Sequence, residues 1–171
     1  TAVVGKKDVF SLNKHRRSAV EMNDIEQLCA IIAQWSAQYD PVGRDLSIVA
    51  HHSSNSDKGR KYKYTFSSLE AFKKYDQATK DPISNLIVSF SMISRNADTG
   101  EYSPLDVTID FTGLYDHPTY YLKRGAYRGY NLDKNEVSCR VRVEYTDYLV
   151  SKSFISMFDD WYDSLHEVEG V

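Results

Sequence analysis

Two adjacent histidines, His51 and His52, are of a type that could do acid-base or metal chemistry. Imidazole titrates near neutral pH, and either ring nitrogen can ligate a metal. The pair falls where a strand of alternating residues ends, beside the polar segment 53–59. Loops at strand ends commonly carry functional groups. Asp57 lies in that segment, and Asp116 with His117 is the comparable pair elsewhere. Successive side chains of a strand point to opposite faces, so only one of His51 and His52 enters a given pocket. The spacing therefore predicts one packed and one exposed histidine. A catalytic site drawn from His51, His52, Asp57 and His117 is the competing expectation.

Asp106 and Asp110 form a second constellation, two side-chain repeats apart on one strand face. Paired carboxylates can exchange protons or hold a cation. Arg140 and Arg142 occupy the polar face of another strand, and cross-strand ion pairs would account for all four residues without catalysis. Such exposed pairs contribute under ~1 kcal/mol each.

Two segments interleave aromatic residues with cations. In residues 58–66, Tyr62, Tyr64 and Phe66 alternate with Lys61, Lys63 and Thr65. That alternation sends rings and charges to opposite faces, a core face and a solvated face. In residues 120–130, Tyr120, Tyr121, Lys123, Arg124, Tyr127 and Arg128 follow no such period. Rings for base stacking and cations for phosphate make this segment the candidate ligand or single-stranded nucleic-acid site.

The sequence holds no G-x-G-x-x-G, no G-x-x-x-x-G-K-[ST], no G-x-S-x-G and no H-E-x-x-H. The usual phosphate loop, nucleophile elbow and zinc helix are thus not the basis of its activity. No cofactor and no metal site is expected, and the balance leans away from an enzyme. Net charge is -3, whereas dedicated duplex-DNA binders carry a basic excess. Cys29 and Cys139 are too few for a disulfide framework and sit on apolar faces, as buried thiols do. A reducing, cytoplasmic setting is expected. No apolar run approaches the ~20 residues that cross a bilayer. The chain starts at Thr1, and we expect a domain processed or, in preference, excised from a larger protein.

The elements that must position these residues follow from periodicity. A helix is expected over residues 23–39, with Ile25, Leu28, Cys29, Ile32, Trp35 and Tyr39 on one face and Asn23 with Glu26 as capping box. A second should run from residue 67 to about 79, with Ser67 and Glu70 as its box, ending before Asp81-Pro82. A third should run from residue 147 to about 166. Its wide stripe of Phe154, Ile155, Phe158, Trp161, Tyr162 and Leu165 reads first as core. Large aromatics are also favoured at interfaces, so Phe154, Phe158, Trp161 and Tyr162 are the candidate surface for a second copy or another protein.

Strands are expected around residues 9–12, 46–50, 62–66, 86–92, 105–111, 119–122 and 137–145. The first ninety residues read β-α-β-β-α-β, the order of a ferredoxin-like plait. The expected fold is one α+β domain over residues 1–171, a mainly antiparallel sheet with its helices on one face. Further strands and a long C-terminal helix extend the ferredoxin-like start. A helix-grip arrangement, a curved sheet around that helix, is the alternative. The functional expectation is a non-catalytic sensing or self-associating interaction domain of a larger intracellular protein. A small-ligand or single-stranded nucleic-acid binder and an enzyme using His51 and His52 are the alternatives.

Overall fold

A computed structural model describes residues 7–16, 20–53, 61–78, 83–112 and 137–165. The chain is α+β: among the described residues six strands form one antiparallel sheet, and three helices lie on one of its faces. The strands are β1 (Asp8–Arg16), β2 (Gly43–Ser53), β3 (Lys61–Phe66), β4 (Ile83–Arg95), β5 (Tyr102–Thr112) and β6 (Val137–Tyr145). The helices are α1 (Met22–Ala37), α2 (Leu69–Ala78) and α3 (Tyr148–Asp163). The expected strand at residues 119–122 lies outside the described residues.

Sheet order is β1-β6-β5-β4-β2-β3, and every neighbouring pair is antiparallel. The period-2 alternation dictates this layer. Val88 and Phe90 of β4 lie opposite Ile109 and Val107 of β5, and Val141 and Val143 of β6 continue the row. All six are essentially inaccessible. Their polar neighbours, Ser89, Thr108 and Arg142, take the other face.

The order β-α-β-β-α-β over residues 8–95 is present, but its strands do not pair as a ferredoxin-like plait. A plait would place β1 inside the sheet between β3 and β4. Here β4 pairs with β2, and β1 lies at the far edge against β6. The composition of β1 explains the choice. An interior strand needs an unbroken apolar face, and β1 offers Phe10, Leu12 and then Lys14 opposite Val143, Val141 and Cys139. Strands β5 and β6 carry uninterrupted apolar faces and occupy the interior instead.

Helix α1 sits between the other two. Ile25, Leu28 and Ile32 are buried at three- and four-residue spacing. Its cap lies two residues before the expected Asn23 and Glu26: the Asp24 carboxylate accepts from the Glu21 N–H at 2.9 Å. Lys73 of α2 pairs with Glu26 of α1. On the other side, the Trp35 indole donates to Ser153 Oγ of α3 at 2.9 Å, and the Trp161 indole to the Asp24 carbonyl at 3.2 Å. Buried indole N–H groups need such partners. Ser68, not Ser67, caps α2, its hydroxyl accepting from the Ala71 N–H at 3.1 Å. Asp147 caps α3, accepting from Leu149 and Val150. The β4–β5 turn closes through Gly100, at φ +70, a backbone region that suits glycine. No helix among the described residues is long and apolar enough to cross a membrane.

Candidate functional site

The sheet pleat separates the two histidines. His51 is on the open face opposite Asn85, and His52 is on the helix face, 1% exposed. The two point to opposite faces as the spacing predicts, with His52 packed and His51 half-buried rather than exposed. A register shift in β2 falls between them. His52 Nε2 lies 2.5 Å from the Tyr75 hydroxyl of α2. Around that contact Tyr64, Phe66 and Tyr75 stack, with ring centroids 5.0–6.5 Å apart. The hydroxyl gives the buried imidazole a polar partner, so structural burial of His52 is satisfied. Sequence reasoning did not connect Tyr75 to His52. The signal was its place on the Leu69, Phe72, Tyr75 stripe of α2. Asp57 and His117 lie outside the described residues. No group of three or more His, Cys, Asp or Glu is placed to hold a metal among those described.

Asp106, Asp110, Arg140 and Arg142 do share the open face, on adjacent strands. The expected pairing is only partly realised. Asp110 lies opposite Arg140 and accepts from the Asn85 amide at 3.2 Å. Asp106 lies opposite Glu144, a like-charge juxtaposition that destabilises a sheet by itself. Two cations offset it: Lys7 pairs with Asp106, and Arg142 reaches Glu144 at 3.2 Å. Ser91 donates to Asp106 at 2.8 Å. Partial burial would raise the Asp106 pKa, but the Lys7 ammonium and the Ser91 hydroxyl outweigh it and hold the carboxyl below its usual range. Lys7 was not singled out in the sequence, because it precedes β1 by one residue and Asp106 is ninety-nine positions away.

Between these charges the open face also carries small polar and half-buried aliphatic side chains. Val49 lies opposite Ile87, with Ser47 and Ser89 beside them. Ile93, 43% exposed, lies opposite Gly43. A shallow concavity of about 370 Å³ opens there, lined by Lys7, Gly43, Asp45, Ser91, Ile93 and Asp106 among others. It is wide and shallow, whereas small-molecule sites bury most of their ligand.

The aromatic stripe of α3 lies inside the protein. Phe154 and Phe158 are 0% exposed, Tyr162 1% and Trp161 3%. Trp161 packs edge-on against Phe111 of β5 and Phe154 against Trp35 of α1. The chain's own core thus accounts for the stripe, and these four side chains are not on a surface that a second copy could reach. Both cysteines are buried free thiols. Burial pushes Cys29 up to about 11. Burial, then the Asp110 carboxylate, push Cys139 up further against the opposing effect of Lys14. Both shifts disfavour the thiolate, the nucleophilic form. The segment holding Tyr120, Tyr121, Lys123, Arg124, Tyr127 and Arg128 lies outside the described residues.

No protein-family model, curated protein or solved structure matches this chain.

Proposed function

We propose that this chain is a non-catalytic interaction domain of an intracellular protein, which binds protein through the side of its sheet that the helices leave bare and also self-associates. One observation carries the reading: among the described residues, three helices gather on one face and the opposite face is uncovered across six strands. Antiparallel sheets tolerate one solvated face. This one sets exposed Ile93 and the half-buried Val49–Ile87 pair among serines and charges, the mixture of apolar centre and polar rim found at protein interfaces. Its charges are of both signs, with Arg140, Arg142 and Lys63 interspersed among Asp45, Asp106, Asp110 and Glu144. A mixed field suits a protein surface better than a polyanion, which recruits an excess of cations.

The test compares proteins recovered from a lysate by the unaltered chain and by Ile93→Arg, with Lys152→Glu, exposed on α3 in the helix layer, as a control. A defined set lost only on Ile93→Arg is expected. Identical recoveries from all three chains, or none from any, would refute the open-face reading.

A further inference from the structure

We infer that β1 is the edge through which two copies of this chain pair, antiparallel about Leu12, into one continuous sheet. This deepens the interaction reading, and rests on it, by naming one partner.

The two edges of the sheet differ. β3 pairs over six residues and carries Lys61 and Lys63, and short length and lysines are what keep an edge from accepting another strand. β1 runs nine residues in unbroken register with β6, has no proline and no bulge, carries its basic residues only at its C-terminal end, and its other side meets no strand among the described residues. Two neighbouring apolar side chains flank this edge on opposite faces. Val9 is 50% exposed on the open face, and Phe10 is 40% exposed on the helix face. A strand added beside β1 would cover both.

Charge selects a second copy, and one register. β1 begins with Asp8 and ends with Lys14, His15 and Arg16. Parallel self-pairing would set its basic end against itself. Antiparallel pairing centred on Leu12 sets Asp8 opposite position 16, an arginine, and Phe10 opposite Lys14, with Leu12 opposite its own copy. Every such pair joins positions of equal parity, so the apolar face of one copy continues the apolar face of the other, and the helices stay on one side. Lys14 is already steadied by Asp159 at 2.9 Å and lies over the Tyr162 ring. Its aliphatic stem is therefore held where Phe10 of the second copy would pack. The contact is isologous and closes at two copies. Pairing β1 with β3 of another copy would be open-ended and would oppose basic residues.

The test is sedimentation of the 171-residue chain from about 1 to about 100 µM, a range that brackets micromolar self-association. The unaltered chain should dimerise. D8K and R16E each introduce like charges at both ends of the symmetric contact, and each should weaken dimerisation at least about tenfold. The double variant D8K/R16E, and an equimolar mixture of the two single variants, restore opposite charges at both ends and should restore the dimer. Circular dichroism of each variant confirms the native fold. A dimer that both single variants leave intact, or one that the double variant fails to restore, refutes pairing through β1 while leaving self-association standing. A chain that is monomeric throughout refutes both, and the open-face reading is then decided by its own lysate experiment.

Discussion

Replacing Phe154 by alanine separates a core role for the α3 stripe from an interface role. Phe154 is 0% exposed, and its ring meets Trp35 of α1 edge-on, centroids 5.3 Å apart. The adjacent Ser153 accepts the Trp35 indole N–H, so the α1–α3 contact is built around this point. Truncating a fully buried phenylalanine removes its transfer free energy and leaves a cavity, together costing about 3–5 kcal/mol. Part of that loss is the ring pair, worth about 0.5–1.5 kcal/mol beyond its area. A domain of this size loses about 2–4 °C of melting temperature per kcal/mol, so Phe154→Ala should melt roughly 10 °C lower. Phe154→Leu retains most of the volume and should fall less. Thermal and urea unfolding followed by circular dichroism read both changes, at a protein concentration low enough to exclude association. Were the stripe a surface between copies, Phe154→Ala would leave the monomer's stability within about 0.5 kcal/mol of the parent and change only association. That outcome would refute the packing described for α3.

Asp147→Ala removes the carboxylate that accepts from the Leu149 and Val150 N–H groups and should cost about 1 kcal/mol in urea unfolding; Asp147→Asn should cost less. Cys29 and Cys139 should resist a thiol-exchange reagent in the native chain at pH 8 and titrate as two thiols once the chain is unfolded, because burial disfavours the reactive thiolate. Rapid labelling of either in the native state would contradict their placement. Since the Cys29 pKa is raised to about 11, its contribution is complete below the unfolded thiol value of about 8.5 and is lost as pH rises toward the folded one. The Asp106 pKa is lowered, so its contribution is present above the unfolded value of about 3.9 and is lost as pH falls through the folded one. The stability gap between the parent and Asp106→Asn should therefore narrow from pH 6 to pH 2, and a gap that stays constant would show that Lys7 and Ser91 do not hold the carboxylate.

Local periodicity made most of the elements legible, and what it missed has a common cause. The alternations of Leu86, Val88, Phe90 and Met92 with Leu105, Val107, Ile109 and Phe111 imply a pleated pair, and β4 and β5 pair in that register. The three helices fall where their stripes place them, with starts moved by one or two residues, because several polar residues near each N-terminus compete to cap. Glu21 with Asp24 displaced Asn23 with Glu26, and Ser68 displaced Ser67. Partnership across long sequence separations was not legible. Nothing in residues 9–12 signals that their strand is nine residues long or that it meets β6. The order β-α-β-β-α-β is shared by a plait and by this sheet. Which one forms depends on whether β1 can supply an unbroken apolar face, and Lys14 prevents it. The opposition of His51 and His52 was legible because the pleat enforces it, whereas the Tyr75 partner came from a helix twenty-three residues away.

The same contrast indicates where function is to be sought. Residues with the most conspicuous chemistry are largely accounted for by the fold: His52 by Tyr75, Asp106 by Lys7 and Ser91, and the α3 aromatics by α1 and β5. What the fold leaves unused among the described residues is quieter. Ile93 stands on the bare face, and Val9 and Phe10 flank an open edge whose ends carry opposite charge. A long edge strand without proline or bulge accepts another strand unless something prevents it. The shortness and lysines of β3 show the other edge protected in the usual way, while β1 is longer and carries opposite charge at its two ends, as the proposed pairing with a second copy requires.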